Sequence, residues 1–383
     1  MRRIEKAFTR LLFGVLRVFI HVRKVVAVPR DSVHNILVIR QHNQLGDMLC
    51  AVPLLRSLRA TYPRARIALL ARPLNSEILR GASFLDEVIV YDKKTFLRSP
   101  FAVWLFARAL KKRRFDLAIV PSTVSMSVTS DVIAFLSGAK RRIGPASLNG
   151  KRNVTGFLHN IRVDLDWRRD PSVHQTQRNI DIASILVLDP VSHELEIALT
   201  DEEVKKGRAF LDKRTGGHEL IVGFHPGAAK VPNRWDALRF AEIANRCAEI
   251  LGAFIVVTAG PDDDDPVHEM TVHMPNDHVV LRNEPIRFTA SVIRHCSVFV
   301  TNDTGIMHVS AAVGTPTLSL FGPTDPLQWA PHGRRHRFIL GRGGSVDSIT
   351  VEKVWDVLTD MLRAFAASAP PRERQAVEYP RHS

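Results

Sequence analysis

The sequence has 383 residues, of which 45% are hydrophobic and 24% are charged. This composition is typical of a globular chain, and the length suits about two domains that each bury a core. The formal net charge is +14, which favours an anionic partner such as a phosphorylated acceptor, an anionic membrane surface or nucleic acid. No helix-turn-helix, zinc-finger or RNA-recognition signature is present, so nucleic-acid binding is suggested by charge alone and is not expected.

The cysteines predict no disulfide and no zinc site. Cys50, Cys247 and Cys296 are far apart and odd in number, which indicates buried free thiols in a reducing compartment. No cysteine or histidine cluster has zinc spacing, and the four consecutive acids from Asp262 to Asp265 lack the ligand spacing of a calcium loop. We therefore expect neither a metal nor a cofactor.

Residues 1–32 form a basic segment whose apolar side chains recur at steps of three and four, as on one face of a helix. Basic residues recur every seven positions on the opposite face: Arg3, Arg10, Arg17 and Lys24. Arg17 interrupts the apolar run, which excludes a spanning helix of about 20 apolar residues, and no small-residue cleavage site follows. We expect residues 1–30 to lie on an anionic leaflet as an amphipathic helix. The alternative is a helix packed on the protein's own core.

Strand and helix patterns alternate over residues 33–195 and predict a doubly wound first domain. Apolar runs predict its strands at 35–39, 67–70, 87–90, 116–120 and 141–144. Its helices are predicted from about Asp47 onward, and then at 74–79, 100–111, 131–137 and 174–188. Residues 151–170 are polar and basic, and they are predicted to be irregular.

The same alternation restarts over residues 196–350 and predicts a second α/β domain. Thr200 and Glu203 form a capping box at its start, and Asp236 is predicted to cap a later helix. Its strands are predicted at 220–224, 254–258, 279–281, 298–300 and 317–321. A helix at 351–368 follows, and the polar residues 369–383 are expected to be disordered.

Gly46 and Asp47 lie where the first strand feeds the first helix. Ligands of open α/β sheets bind at the carboxyl ends of strands, so a carboxylate there would face a cleft. Such a group can accept a proton from a hydroxyl nucleophile. The alternative is an Asp that only caps the helix. The loop is not a G-x-G-x-x-G sequence, which argues against a dinucleotide site.

The loop from Gly227 to Arg234 has the features of a pyrophosphate site. It offers backbone N–H groups, Lys230 and Arg234 between a strand and a helix. The alternative is a solvated basic loop. Asp262 also follows a strand and is the candidate for binding a ribose hydroxyl, although a purely solvated acidic loop is favoured there.

The segment from Asp303 to His308 follows the strand at 298–300 and opens a helix. Thr301 to Asp303 are predicted to form a turn and the helix N-cap. The free N–H groups of a helix start carry roughly +0.5 charge, which suits a phosphate. The alternative is that Asp303 is only a cap and His308 only a helix residue.

Taken together and in order, these loops resemble glycosyltransferase family 9, the bacterial lipopolysaccharide heptosyltransferase family, over about residues 35–345. The matching blocks are Arg40 to Pro53, His225 to Ala228 with Arg234 and Trp235, Asn302 to His308, and Phe321 to Pro326. The Asp-Thr-Gly-x-x-His block is the most specific of them. The resemblance implies the GT-B fold, in which two Rossmann-like domains face each other across a cleft and the last helix crosses back to the first domain.

The resemblance also implies roles for single residues. Asp47 matches the family's Gly-Asp after the first strand and would be the general base. The acceptor loop would contain Arg40, Gln44 and Gly46. The donor's phosphates and sugar would be held by Asp303, Thr304, Gly305 and His308, with Gly227, Lys230, Arg234 and Asp262 as further donor-binding candidates. Family members usually have a lysine two residues before the tryptophan of the second block; here Asn233 stands there, and Lys230 or Arg234 would substitute.

These observations predict an inverting, metal-independent transfer of a heptose-like sugar from a nucleotide-diphosphate donor of the ADP-heptose type. The acceptor would be a lipopolysaccharide core or a related cell-envelope glycan, which is lipid-linked and anionic. The expected location is cytoplasmic and peripheral, on the inner face of the bacterial inner membrane. The alternative is a catalytically silent nucleotide-sugar-binding protein at that surface, which Asn233 favours.

Overall fold

The computed structural model describes residues 2–41, 44–92, 99–274 and 277–368, with the side chains of residues 11–366 in these ranges. The chain divides into two compact units, Met1–His193 and Glu194–Ser383. Each unit contains a mainly or wholly parallel sheet with helices between its strands. The tail predicted to be disordered, residues 369–383, lies outside the described residues.

The first unit alternates strands and helices after an N-terminal helix. Its helices are α1 (Arg2–Phe19), α2 (Leu45–Leu49), α3 (Val52–Thr61), α4 (Pro73–Ile78), α5 (Pro100–Lys112), α6 (Val128–Leu136) and α7 (Gln175–Asp181). Its strands are β1 (Asn35–Arg40), β2 (Arg66–Ala71), β3 (Glu87–Val90), β4 (Leu117–Ile119), β5 (Arg141–Leu148), β6 (Lys151–Arg152) and β7 (Ile161–Leu165).

The sheet of the first unit has the strand order β3-β2-β1-β4-β5, and all these neighbours are parallel. Strand β5 also pairs with β6 in the antiparallel and with β7 in the parallel sense. The strand order reverses between β1 and β4. In open α/β sheets, ligands bind at this switch point, beyond the carboxyl ends of the two strands. One face of the sheet is covered by α5 and α6, with Leu37, Leu70, Ala118, Leu110 and Ile133 in its core.

The second unit repeats the pattern. Its helices are α8 (Asp201–Asp212), α9 (Ala237–Leu251), α10 (Asp264–Val272), α11 (Ile286–Ile293), α12 (Gly305–Ala312), α13 (Pro326–Trp329) and α14 (Val351–Ser368). Its strands are β8 (Ile221–His225), β9 (Phe254–Ala259), β10 (His278–Arg282), β11 (Val298–Asn302), β12 (Thr317–Phe321) and β13 (Arg337–Leu340).

The second sheet has the parallel order β10-β9-β8-β11-β12-β13, so its switch point lies between β8 and β11. Apolar side chains cover both faces, as in other parallel sheets. One core contains Phe224, Trp235 and Phe240, and the other contains Leu211 and Phe254. The capping box predicted at Thr200 and Glu203 is confirmed, as is the cap at Asp236.

Helix α14 packs its apolar face into the core of the second unit, through Val354, Leu358, Met361 and Leu362. This packing gives the helix a hydrophobic anchor within its own unit. The crossing of this helix to the first domain, which the family resemblance implies, stays a prediction.

The first helix predicted after β1 is divided into two in the structure. The helix predicted from Asp47 begins at Leu45 and breaks after Leu49, and a second helix starts at Val52. Pro53 explains the break, because its ring would clash with the carbonyl of Leu49 in a continuous helix.

Two segments predicted to lack regular structure contain it. Residues 151–170 include β6 and β7. In β7, the end residues Ile161 and Leu165 are buried, and the three residues between them are exposed or half-buried. The acidic loop predicted over Asp262 to Asp265 ends early, because α10 begins at Asp264.

Helix α1 exposes apolar side chains along its described part, among them Leu11, Val15, Val18 and Phe19. The ring of Phe13 instead approaches Phe157 of the same unit, at 6.5 Å between centroids. Within the described ranges, no helix is both long enough and apolar enough to cross a membrane. Membrane contact by this helix stays a prediction.

Candidate functional site

Asp47 lies in the first turn of α2, directly beyond the carboxyl end of β1. The N-cap of this helix is Gln44, whose side chain makes no capping hydrogen bond. The alternative in which Asp47 caps the helix is therefore wrong. Asp47 is only 7% exposed. A carboxylate buried to this extent requires a partner, because an isolated charge is strongly disfavoured away from water.

Arg40, the last residue of β1, is that partner. Its Nη2 lies 3.6 Å from Oδ1 of Asp47, and its Nε donates to the main-chain carbonyl of Asp47 at 3.0 Å. Its Nη1 donates to the carbonyl of Pro121, just beyond β4, at 3.4 Å. Arg40 thus bridges the two strands of the switch point and fixes Asp47 there.

The three acceptor-loop candidates differ in their exposure, and their role stays a prediction. Arg40 is 2% exposed, and burial lowers the pKa of its guanidinium while Asp47 opposes that shift. Gly46 is buried within α2, and Gln44 is exposed at its start. Of the three acceptor-loop candidates, only Gln44 is open to solvent in this unit.

Asp303 follows β11 and precedes α12. The N-cap of α12 is Thr304, which has an extended backbone and makes no side-chain capping bond. The predicted cap at residues 301–303 is therefore wrong, and the Asp303 carboxylate is not used by the helix. It accepts a hydrogen bond from Nδ2 of Asn233 at 2.9 Å.

The charge on Asp303 is influenced by burial and by two neighbours. Burial raises the pKa of its carboxyl, while a hydrogen bond from Thr324 and the positive charge of Lys230 oppose the shift. Lys230 itself is exposed at the start of the turn that contains Asn233. Asn233 and Lys230 therefore act on the same carboxylate.

The side chain of Asn302 joins the two loops at the switch point of the second unit. Its Nδ2 donates to the carbonyls of Pro226 at 2.8 Å and Gly227 at 3.3 Å, and its Oδ1 accepts from the N–H of Trp235 at 3.0 Å. Trp235 is 1% exposed, as expected for a side chain under the loop. Arg234 braces the same loop, because its Nε donates to the carbonyl of Ala228 at 2.6 Å.

Asp263 supports the Gly227 loop from a buried position. Its Oδ2 accepts the main-chain N–H of Gly260 at 2.8 Å and lies 3.6 Å from Nε2 of His225. A Cβ atom at Gly227 would overlap with the Asp263 carboxylate, so only glycine fits. The sequence does not reveal this role of Asp263; the residue that it suggests for a ribose hydroxyl, Asp262, is exposed, and that contact stays a prediction. In a run of identical acids, no local signal distinguishes them.

His308 lies on α12 and is 2% exposed. Its ring is 6.1 Å from that of Trp329, in an edge-on arrangement. Burial lowers the pKa of His308 to about 4, so the imidazole is neutral at pH 7. A neutral imidazole can donate one hydrogen bond to a ligand and accept another, but it adds no positive charge.

The cysteines are free and buried, which confirms the predicted buried thiols. Burial raises the pKa of all three thiols, that of Cys296 to about 12. Among the described residues, no group of three or more His, Cys, Asp or Glu side chains is placed to hold a metal ion.

Comparisons with known proteins agree with this architecture. Residues 103–352 match the family described as glycosyltransferase family 9 (heptosyltransferase). The "Lipopolysaccharide heptosyltransferase 3" of Escherichia coli is 24% identical over 300 residues, covering 75% of this chain and 83% of that protein.

Two solved structures share the fold. The glycosyl transferase family 9 structure from Veillonella parvula DSM 2008 has a TM-score of 0.76 at 21% identity, covering 86% of this chain and 97% of that one. The E. coli ADP-heptose lps heptosyltransferase II has a TM-score of 0.72 at 23% identity, covering 86% and 99%. With two Rossmann-like units, the fold is of the GT-B class that the sequence predicts. The family match extends over more than half of the chain, so the chain belongs to glycosyltransferase family 9, the heptosyltransferase family.

Proposed function

We propose that the protein is an inverting glycosyltransferase that moves a heptose-like sugar from a nucleotide-diphosphate donor of the ADP-heptose type to a lipopolysaccharide core or related cell-envelope glycan. The names of the relatives support the sugar and the acceptor. The observation that carries the proposal is the Asp47–Arg40 pair at the switch point of the first unit. Asp47 lies outside the family-matched range of residues 103–352, so its role is argued from its position and its contacts.

In this mechanism, Asp47 accepts the proton of the acceptor hydroxyl as that oxygen attacks the anomeric carbon. The new C–O bond forms on the face opposite the leaving diphosphate, which departs with the electron pair of the bond that breaks, and the configuration inverts. Arg40 holds the Asp47 carboxylate in place and balances its charge. General-base catalysis of this kind typically contributes about 10²- to 10⁴-fold in rate.

The second unit would bind the donor. The loop at Gly227 and the start of α12 present backbone N–H groups, which suit the two phosphates. The Thr304 hydroxyl makes no capping bond and is a donor for a phosphate oxygen. Neutral His308 and the backbone at Gly305 would contact the nucleotide or sugar, and Asp262 stays the proposed ligand of a ribose hydroxyl.

Asn233 changes how charge is supplied at this site. An amide in place of the family's lysine removes one positive charge but keeps a hydrogen bond to Asp303, at 2.9 Å. Lys230 acts electrostatically on the same carboxylate. We infer that Lys230 supplies the charge that the lysine gives other members, with Arg234 holding the loop.

The proposed transfer is metal-independent. Charge on the leaving diphosphate would be stabilised by Lys230, by Arg234 and by the N-terminus of α12. The test is turnover after dialysis against a chelator: unchanged ADP release supports the proposal, and loss that a divalent cation restores would contradict it.

The proposed location is the cytoplasmic face of the bacterial inner membrane. Leu11, Val15, Val18 and Phe19 are exposed on α1, and basic residues accompany them in the sequence. A helix with exposed apolar and basic side chains is suited to the interface of an anionic leaflet.

The deciding experiment supplies ADP-heptose and a heptose-accepting core oligosaccharide to the purified protein. We expect ADP release and a new glycosidic bond whose anomeric configuration, determined by NMR, is opposite to that of the donor. Retention of configuration would refute the mechanism. The second candidate, a silent nucleotide-sugar-binding protein, is favoured by Asn233 and would be supported by donor binding without transfer or hydrolysis across a panel of acceptors.

A further inference from the structure

A cavity of about 290 Å³ lies in the first unit between α1 and the edge of the sheet formed by β5, β6 and β7. Its lining includes Phe13, Arg17, Arg152, Phe157 and Arg162. The proposed transfer assigns no role to this cavity.

Three arginines from three elements line the cavity, and all three are exposed: Arg17 from α1, Arg152 from β6 and Arg162 from β7. The described lining residues include no Asp or Glu. Burial, followed by the charges of Arg17 and Arg152, lowers the pKa of Arg162. Like charges repel one another, so an anion bound among these arginines would reduce their repulsion.

The fold holds Arg162 in this unfavourable position. Its Nε donates to the carbonyl of His159 at 3.0 Å, and its Nη2 donates to the carbonyl of Phe157 at 3.2 Å. Both acceptors belong to the short segment between β6 and β7. The guanidinium is thus oriented by main-chain atoms and does not depend on a carboxylate for its position.

A buried polar network fixes that segment. Asp131 accepts hydrogen bonds from Asn153 at 2.9 Å, Thr155 at 2.6 Å and His159 at 2.8 Å. Asp131, Thr155 and His159 are fully excluded from solvent, and Asn153, which also lines the cavity, is nearly so. Three hydrogen bonds to one buried carboxylate restrict the movement of the segment. The cavity wall is therefore preformed.

Part of the cavity lining is apolar. The ring of Phe13 packs near that of Phe157 on the cavity side of α1, while Val15, Val18 and Phe19 are exposed on the same helix. A ligand that is anionic at one end and apolar at the other matches this combination.

We propose that Arg17, Arg152 and Arg162 bind the phosphate group of an anionic membrane lipid while α1 lies among the headgroups. Arginine suits this ligand because its planar fork donates two parallel hydrogen bonds to phosphate. This inference rests on the proposed membrane location and adds to it a defined headgroup site.

The test compares binding of the full chain to phosphatidylcholine vesicles with and without phosphatidic acid, measured by co-sedimentation. We expect Arg152→Gln/Arg162→Gln to weaken binding to the anionic vesicles at least tenfold more than Lys151→Gln/Arg169→Gln. The control removes the same two charges from exposed positions of this unit that do not line the cavity. Equal losses would overturn the site, because they would reduce it to general charge attraction.

Two further measurements keep the outcomes separate. The single variant Arg152→Gln, which leaves Arg162 anchored, should show the same direction of change if the double variant misfolds by circular dichroism. A thermal shift with inorganic phosphate tests whether the site binds a soluble anion instead of a lipid. The lipid assignment would be overturned if phosphate stabilised the wild type but not Arg152→Gln while the two proteins bound anionic vesicles equally.

Failure of this inference is distinguishable from failure of the proposed catalysis. A wild-type protein that binds no anionic vesicles refutes both the headgroup site and the membrane location. Absence of glycosyl transfer refutes the catalytic proposal and leaves the vesicle comparison valid.

Discussion

The guanidinium of Arg40 lies 3.6 Å from the carboxylate of Asp47, and both side chains are almost completely excluded from solvent. The contact links the end of β1 to the first turn of α2. Because Arg40 also reaches the chain beyond β4, the pair depends on the switch point of the sheet and not on one loop. We therefore expect substitutions of Arg40 and Asp47 to change both the proposed catalysis and the stability of the first unit.

Asp47→Asn should lower kcat about 10²- to 10⁴-fold, because the amide cannot accept the acceptor's proton. The dissociation constant for the donor should not change, since the donor is proposed to bind to the second unit. Turnover and calorimetric ADP binding are the two measurements, with exposed Asp170→Asn as the control carboxylate. Wild-type turnover in Asp47→Asn would refute the assignment of the base.

Arg40→Met should lower the free energy of unfolding by about 3–5 kcal/mol, because it leaves the Asp47 charge buried without its partner. Adding Asp47→Asn to this variant should recover much of the loss, since the amide is neutral. Denaturant unfolding of the four proteins gives the coupling energy between the two sites. A double variant no more stable than Arg40→Met would show that the loss comes from packing.

Lys230→Gln should weaken ADP binding about tenfold, a loss of about 1.4 kcal/mol, if Lys230 supplies the missing lysine's charge. Asn233→Lys in that background should restore affinity, because it returns the charge beside Asp303. Exposed Lys353→Gln in the same unit is the matched control. Equal affinity of Lys230→Gln and the control would remove Lys230 from the donor site.

His308 makes the stability of the second unit depend on pH. Burial depresses its pKa from 6.5 to about 4 in the folded protein. The unfolded chain therefore binds the proton more readily, and the stability contributed by neutral His308 is complete above about pH 6.5. It is lost as the pH falls toward 4, by about 3 kcal/mol in total.

The measurement is the free energy of unfolding of the wild type and His308→Gln at pH 7, 5.5 and 4.5. His336, whose pKa burial also lowers to about 4, titrates in both proteins, so the difference between them isolates His308. We expect the variant to lose less stability on acidification. Parallel curves for the two proteins would contradict a buried neutral imidazole.

How far the sequence predicts the fold depends on how local the determining contacts are. Thr200 and Glu203 each bind the other's main-chain N–H within one helical turn, so four consecutive residues are enough to predict their capping box. The strand at Ile161–Leu165 has alternating apolar and charged residues, but the polar and basic residues around it make the pattern hard to recognise in the sequence. Its place beside β5 is a tertiary contact.

The candidate site shows the same limit. The sequence correctly places Asp47 at the start of the helix that follows β1, because strand ends follow from apolar runs. It could not show that Arg40 turns inward, since this depends on Pro121, 81 residues later in the chain. Nor could it show that Asp263 supports the Gly227 loop, because this contact depends on where α10 begins and on the space left by Gly227.

The amide of Asn302 holds the chain at Pro226, Gly227 and Trp235 together through hydrogen bonds within the protein. Segments arranged in advance lose little conformational entropy when a nucleotide arrives, so less of the contact energy is consumed in ordering them. The proposed donor should then bind without a slow rearrangement of these segments.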